Sequence, residues 1–366
     1  MRLTTTKEKI LQAVTVAERI TGKKESLPIL SCILFDASEH LAARATNLEA
    51  GIEIIIPADI EERGAVAVPA GILSQTLRAL QSEKLTLKTD GGNLLIESRG
   101  TKTLIKAIPH EEFPKLSLTR EKKSVVVARE LFLGGLQAVS YAASLSMIRP
   151  ELGSIYVSVK SADIVFAATD SFRLAEKKVK GIGSEDYGEI LIPLKHAVEL
   201  SHILEHIPEE TIELSAAESE LKISTGAVRY VSRVIDGSFP NYQEIIPRTF
   251  VIEATLLKND FAEALRKARV FSGSDMHVGL HLYPARKIFS MTAQSADVGE
   301  MSDTLDAALT GEQDIDIKFH IGYLADCLSA IKADSVTLGF SGADKPLVIR
   351  GVSDGNFTYL VMPLNR

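Results

Sequence analysis

The chain has 366 residues, of which 45% are hydrophobic and 24% charged, as in a soluble globular protein of two or three domains. Trp is absent and aromatic residues make up only 6%, which excludes extensive base-stacking surfaces. The N-terminus has no apolar signal-peptide core, and no apolar run approaches the ~20 residues of a membrane span. We therefore predict a cytoplasmic protein without a membrane partner, with Cys32 and Cys327 as buried thiols.

A strand-turn-strand pattern recurs at a fixed distance along the chain. Thr46, Thr169 and Thr292 are spaced 123 residues apart, and each follows an apolar run and precedes an alternating segment. The dipeptides Phe113-Pro114 and Phe239-Pro240 repeat 126 residues apart. This period is too long for a solenoid repeat, so we predict three copies of a domain of ~120 residues.

Each predicted copy also contains two amphipathic helices and several hairpin-like strands. Pro69 and Pro193 are expected in the first turn of two helices, where proline is tolerated. Antiparallel strands with helices on one face indicate an α+β fold, here with three similar domains at 1–119, 120–247 and 248–366. The six helices are predicted over residues 6–24, 69–84, 128–149, 193–208, 257–270 and 318–332.

Charge is unevenly distributed between the helices and the rest of the chain. The net charge of −7 taken alone argues against a nucleic-acid binder. The six predicted helices, however, hold 16 basic and 9 acidic residues, a net charge of +7, so the remainder carries −14. If the helices share one surface, that surface would be positively charged and could lie close to the phosphates of a nucleic acid. The acidic strands on the opposite side would keep the nucleic acid from wrapping nonspecifically around the protein.

Three motifs in combination identify a family. The stretches "ATDSFRLA", "DGSFPNYQEIIP" and the terminal "YLVMPL" resemble the beta subunit of bacterial DNA polymerase III, the replicative sliding clamp. The resemblance covers the whole chain. It implies a DNA clamp fold, a head-to-tail homodimer forming a ring of six domains, and helices lining a hole for duplex DNA. It also implies a non-catalytic processivity factor without a cofactor.

The resemblance further implies a hydrophobic pocket that receives a short motif from the replicative polymerase, the clamp loader, repair polymerases and other partners. Thr169 and Arg173 are expected to offer hydrogen bonds at its mouth, above an adaptable apolar floor. Phe172 departs from the family pattern, since many members carry His there. The matching positions are Leu152, Thr169, Ser171, Phe172, Arg173, Leu174, Pro240, Ile245, Val361, Met362, Pro363 and Leu364.

For duplex DNA, the resemblance implies basic residues on the helices and on nearby loops. Such residues make weak, interchangeable contacts with the phosphate backbone, which allow sliding. The candidates are Lys23, Lys24, Arg78, Arg149, Lys195, Arg266, Lys267 and Arg269.

Two other functional classes stay open at the level of sequence. The segment from His202 to His206 matches the H-x-x-E-H signature of a zinc-peptidase class, which would place two imidazoles on one helical face. No distinctive segment supplies a third ligand, and no G-x-S-x-G nucleophile or phosphate loop is present in the sequence. The alternatives to the clamp are thus a zinc hydrolase and an α+β scaffold protein without DNA contact.

Overall fold

A computed structural model describes residues 1–22, 27–116, 124–146, 148–160, 163–180, 188–216 and 219–364. The described residues form two compact units. Unit one contains those of 1–133 and 195–236, and unit two those of 134–180, 188–194 and 237–364. Within the described ranges, no helix is long and apolar enough to cross a bilayer.

The first repeat alternates strands with two short helices. Ile10, Val14 and Ala17 are buried along one side of the first helix, as its amphipathic pattern predicts. The second helix begins directly after Pro69, so the proline precedes the first turn rather than lying within it. The elements are β1 Arg2–Thr6, α1 Lys7–Glu18, β2 Cys32–Ala37, β3 Leu41–Thr46, β4 Ala50–Ile56, β5 Asp59–Glu62, β6 Gly64–Pro69, α2 Ala70–Ala79, β7 Lys84–Asp90, β8 Asn93–Ser98 and β9 Thr101–Ile105.

The second repeat follows the same order except that no described strand corresponds to β5, and its first helix is shorter than predicted. That helix ends at Val139 because Ser140 donates from its hydroxyl to the Leu136 carbonyl oxygen (2.6 Å) and a 3-10 turn follows. Pro193 again immediately precedes the second helix. The elements are β10 Val125–Ala128, α3 Arg129–Val139, β11 Ser154–Lys160, β12 Asp163–Thr169, β13 Arg173–Lys180, β14 Gly188–Pro193, α4 Leu194–His206, β15 Thr211–Ala216, β16 Glu220–Ser224 and β17 Val228–Arg233.

The third repeat diverges most in its second helix. The helix predicted over 318–332 covers only Ile321–Asp326 and passes into a 3-10 turn at Cys327, whose thiol is buried like that of Cys32. The elements are β18 Ile252–Leu257, α5 Lys258–Phe271, β19 His277–Tyr283, β20 Ile288–Ser295, β21 Gly299–Leu305, β22 Ala308–Gly311, β23 Ile315–His320, α6 Ile321–Asp326, β24 Ser335–Phe340, β25 Leu347–Gly351 and β26 Phe357–Val361.

The strands of the described residues form four sheets with antiparallel neighbours, which confirms the predicted α+β fold. Unit one contains the sheets β5-β1-β7-β8-β9 and β10-β15-β16-β17-β4-β3-β2-β6. Unit two contains the sheets β14-β11-β12-β13-β26-β25-β24-β18-β22 and β21-β20-β19-β23.

Two sheets are each shared by two repeats. At the first junction, β17 of the second repeat pairs with β4 of the first repeat. At the second junction, β26 of the third repeat pairs with β13 of the second repeat. The last strand of a repeat therefore extends the sheet of the repeat before it, and the second repeat contributes to both units.

The three equally spaced threonines occupy equivalent strands, as their spacing predicts. Thr46 ends β3 and Thr169 ends β12, each directly before a turn. Thr292 lies within β20, which continues to Ser295. The third copy therefore lacks the turn found at the other two positions.

Candidate functional site

The turn from Thr169 to Arg173 in unit two is held by its own side chains. The Thr169 hydroxyl donates to the Arg173 carbonyl oxygen (2.7 Å) and accepts the Ser171 amide (3.2 Å). The Asp170 carboxylate accepts the amides of Phe172 (2.9 Å) and Arg173 (3.0 Å). Ser171 has a φ of 79°, a left-handed conformation that the surrounding hydrogen bonds support. The hydroxyl of Thr169 thus holds the turn instead of offering a donor at the pocket mouth.

Arg173 is likewise engaged within the protein. Its guanidinium donates to Asp170 (2.9 Å) and to Asp326 in α6 (2.5 Å), and it lies 4.4 Å from the ring centroid of Tyr323. Burial disfavours the charged form, but the hydrogen bond to Asp326 and the charge of Asp170 outweigh burial and raise the pKa of Arg173. Sequence reasoning missed Asp326 and Tyr323, since nothing near them in the sequence points to a partner 153 residues away.

The chain end pairs with this turn. Arg173 lies opposite Val361 in the β13–β26 ladder, and the Met362 amide donates to the Phe172 carbonyl oxygen (2.8 Å). Val361 is fully buried, whereas the side chains of Phe172 and Met362 are 61% and 36% exposed. The turn and the chain end therefore expose two large apolar side chains on backbones that are hydrogen-bonded to each other.

Leu174 is buried beneath the segment that follows β17. It packs in an apolar cluster with Tyr242 and Leu360, and the Tyr242 hydroxyl donates to the buried Glu176 carboxylate (2.8 Å). Burial and the neighbouring Glu176 charge raise the pKa of Tyr242. Leu174 is therefore a core residue as well as a predicted pocket residue.

The other predicted pocket residues are positioned by separate elements. Leu152 is buried, and its amide donates to the Arg149 carbonyl oxygen (3.0 Å). Pro240 is half-buried before a 3-10 turn whose last residue, Ile245, is 54% exposed. The half-buried Leu364 donates its amide to the carbonyl oxygen of Lys318 (2.9 Å), which anchors the tail.

A cavity of about 970 Å³ lies elsewhere, in unit one, and none of the predicted pocket residues line it. Its wall includes Glu53, which pairs with Arg44 (2.6 Å) and Arg229 (3.2 Å). These charged pairs already satisfy one another, so this cavity does not match the apolar pocket predicted from the sequence.

The H-x-x-E-H residues do converge. His202, Glu205 and His206 offer ligand atoms that all lie within 4.8 Å of one another, the one such group found among the described residues. These residues occupy the last turn of α4.

Three family models cover the chain in succession. The N-terminal, central and C-terminal domain models of the DNA polymerase III beta subunit match residues 1–117, 127–241 and 243–365. The chain belongs to the DNA polymerase III beta subunit family. A member of this family is a DNA sliding clamp, a non-catalytic processivity factor, so the clamp prediction is confirmed and the zinc-hydrolase alternative is wrong.

Relatives of the beta subunit match over almost their full length. The beta sliding clamp of Staphylococcus aureus is 24% identical to this chain over 351 residues, which cover 93% of each chain. The beta sliding clamp of Synechococcus elongatus is 24% identical over 372 residues, which cover 100% of this chain and 99% of the relative. The DNA polymerase III beta subunit of Thermotoga maritima aligns with a TM-score of 0.94 at 25% identity, covering 100% of this chain and 99% of that one.

The basic residues predicted to contact DNA differ in how far their charge is neutralised. Lys23 and Lys24 lie outside the described residues. Arg78 in α2 and Arg269 in α5 are exposed and form no ion pair within the described part of the chain. The other four have carboxylate partners: Arg149 pairs with Glu151 (3.0 Å), Lys195 with Glu49 (3.6 Å), Arg266 with Glu263 (3.8 Å) and Lys267 with Asp303.

Proposed function

We propose that two copies of this chain close head to tail around duplex DNA and tether the replicative polymerase and other partners through the apolar surface at Phe172 and Met362. Family membership and the repeated sheet architecture support this proposal. Weak phosphate contacts would permit sliding, and the closed ring would keep the polymerase at high effective concentration at the primer end. We expect three domains, at 1–119, 120–247 and 248–366, and a cytoplasmic location.

The repeat itself suggests which strands join the two copies. The strands β4 and β17 pair at the first junction, and their counterparts β13 and β26 pair at the second. The strand that corresponds to β17 and β26 in the first repeat is β9, and the strand that corresponds to β4 and β13 in the third repeat is β21. Each of these two strands lies at the edge of its sheet. An exposed edge strand is a template for pairing with another chain. Pairing β9 of each copy with β21 of its partner would form two further junctions and close a two-fold dimer.

Exposed apolar side chains near these edges support the same interface. At the first junction, Gln12 of α1 donates from its amide to the His206 carbonyl oxygen of α4 (2.6 Å). In the repeat, α5 corresponds to α1 and α2 corresponds to α4. We therefore expect α5 of one copy to lie beside α2 of the other. Val270 of α5, Ile72 of α2 and Leu104 of β9 are 64%, 56% and 47% exposed, although each is a large apolar residue that an interface would bury.

Light scattering after size-exclusion chromatography tests the dimer. We expect ~80 kDa for the wild type, twice the 39.7 kDa of one chain, and a monomer for the double variant Leu104→Asp with Val270→Asp, because two buried charges would oppose the interface. Leu145→Asp, at another exposed leucine, should remain dimeric. A monomeric wild type contradicts the ring, whereas a dimeric double variant contradicts only the assignment of β9 and β21.

DNA contact is tested by loading the protein on circular and linear templates. The wild type should persist on circular DNA and leave linear DNA from its ends. Arg78→Ala and Arg269→Ala should weaken equilibrium DNA binding more than Lys267→Ala, because Lys267 is already paired with Asp303. Equal release from both templates would contradict topological binding.

The pocket is tested with a fluorescent peptide carrying the apolar clamp-binding motif of a polymerase. Met362→Ala and Phe172→Ala should each weaken peptide affinity while the dimer persists, because both side chains are exposed and their loss leaves the fold intact. Leu145→Ala serves as the control. Leu174→Ala is less informative for binding, since Leu174 is buried in the core cluster. Unchanged peptide affinity in both exposed variants would contradict the pocket.

A further inference from the structure

The last turn of α4 brings three potential metal ligands onto one side of the helix. Glu205 and His206 follow His202 by three and four residues, the spacings that place each of them beside His202 on the helical surface. Their ligand atoms lie within 4.8 Å of one another, and the two imidazole centroids are 4.2 Å apart. Small side-chain rotations would bring these atoms to the distances that a single metal ion requires.

The hydrogen bond of His206 sets its tautomer. Its Nδ1 lies 2.8 Å from the His202 carbonyl oxygen, which can only accept, so Nδ1 carries the proton. The lone pair is then on Nε2. A metal-bound histidine commonly donates its other ring N–H to a carbonyl or carboxylate in this way.

His202 has a buried ring nitrogen without a partner. Its Nε2 is shielded from solvent and forms no hydrogen bond with the described residues. Its Nδ1 lies 3.6 Å from the Glu205 carboxylate. A buried polar atom without a partner is costly, and a metal ion on Nε2 would satisfy it.

The charges around the three side chains are mixed. The guanidinium of Arg19 acts on the His202 imidazole and adds positive charge, which the carboxylate of Glu205 offsets. With only three protein ligands, the affinity should be below that of a four-ligand structural zinc site.

We propose that His202, Glu205 and His206 bind one divalent d-block ion, such as Zn²⁺ or Co²⁺, at the C-terminal end of α4. Two imidazoles with a carboxylate suit such ions better than Mg²⁺ or Ca²⁺, which prefer oxygen ligands. The site is one of binding, not of catalysis. A bound ion would link successive turns of α4 and thereby stabilise the end of the helix.

The test uses the full-length chain without a histidine tag, stripped of metal by a chelator and then titrated with Co²⁺ in visible absorption and with Zn²⁺ in calorimetry. We expect one ion per chain and a rise in the unfolding temperature on metal addition. His206→Gln and Glu205→Gln should each weaken affinity by at least ~10-fold, because each removes a ligand and even the loss of an outer-shell partner commonly costs that much. His40→Gln, at an exposed histidine in a turn of the first repeat, should bind like the wild type.

Three results would overturn the site. The wild type could fail to bind one ion saturably, His206→Gln could bind as tightly as the wild type, or Glu205→Gln could leave the affinity unchanged. Circular dichroism of each metal-free variant would show that a loss of binding does not reflect unfolding, and both substituted side chains are partly exposed.

Discussion

The first and second junctions contain the same turn with different side-chain chemistry. Thr46 donates from its hydroxyl to the carbonyl oxygen of Ala50 (2.8 Å), as Thr169 does to that of Arg173 (2.7 Å). The residue two positions after each threonine has a φ of 75° in the first turn and 79° in the second. The backbone frame is therefore common to both junctions, and only the side chains added to it differ.

The helix that faces each turn shows the consequence. Asp326, the sixth residue of α6, pairs with Arg173. Glu199, the sixth residue of α4, interacts electrostatically with Glu49 of the first turn, where Ala50 stands at the position matching Arg173. One buried carboxylate oxygen of Glu199 has no hydrogen-bond partner among the described residues. Burial raises the pKa of Glu199 to about 6, opposed by Lys195.

The strands that join the repeats, β26 and β17, also differ in how a buried polar group is paired. Tyr359 of β26 donates from its hydroxyl to the Tyr323 carbonyl oxygen (2.8 Å). Its counterpart in β17, Tyr230, has a buried hydroxyl without such a carbonyl partner within the described ranges. The second junction thus pairs the counterparts of Glu199 and Tyr230, although the buried Tyr141 hydroxyl beside Tyr359 has no partner within the described ranges. It also exposes Phe172 and Met362.

The largest effect is expected from Leu174→Ala. Leu174 is 1% exposed and packs with Tyr242 and Leu360, so its truncation should destabilise the protein by ~2–5 kcal/mol. Urea unfolding at fixed protein concentration measures the change. Leu48→Ala, in the first turn with a side chain 46% exposed, should cost no more than ~0.5 kcal/mol. Equal costs would show that the second turn has no core role.

Arg173→Ala should have the next largest effect. The substitution leaves the carboxylates of Asp170 and Asp326 without their common partner and should cost ~2–3 kcal/mol in the same unfolding measurement. Arg149→Ala is the matched control, because its pair with Glu151 is exposed and should contribute at most ~1 kcal/mol. A cost of Arg173→Ala no greater than that of the control would contradict the proposed difference between the junctions.

Glu199→Gln and Asp326→Asn should act in opposite directions at pH 7. The pKa of Glu199 is about 6 in the folded chain and lower when unfolded, so its stabilising contribution is present below pH ~4.5 and is lost as the pH rises through 6. Glu199→Gln should therefore gain ~1–2 kcal/mol relative to the wild type between pH 4.5 and 7. Asp326→Asn should lose ~1 kcal/mol at pH 7, because it weakens the pairing of Arg173.

Unfolding curves for both variants and the wild type at several pH values test this prediction. A flat difference between Glu199→Gln and the wild type across this range would show that Glu199 titrates like an exposed carboxylate.

The smallest effect should be the same at both junctions. Thr46→Val and Thr169→Val each remove the hydroxyl that bonds the carbonyl oxygen four residues later and should each cost ~1 kcal/mol. Because the two turns share this geometry, the costs should agree within ~0.5 kcal/mol. A clear difference in urea unfolding would mean that the shared backbone frame is not equally stabilised at the two junctions.

Local sequence patterns predicted most elements and few of their ends. Among the described residues, six helices form where amphipathic periodicity indicates them, and the spaced threonines mark equivalent strands. The end of α3 at Val139 escaped prediction because the Ser140 side chain competes for a helical carbonyl, and α6 passes early into a 3-10 turn. The pocket residues came from the family resemblance, since periodicity cannot relate the Thr169 turn to the chain end.

The sequence by itself determined the triplication, the α+β class and the turn at Thr169, because hydrophobic period and turn chemistry act between residues close together in the chain. Only the tertiary structure decided that β26 joins β13, that Arg173 binds Asp326 and that Glu199 lacks a comparable partner. The first two outcomes depend on contacts between residues more than a hundred positions apart in the sequence. The third depends on Ala50, which stands in the first turn where the second turn has Arg173. Such contacts form only when the repeats share a sheet.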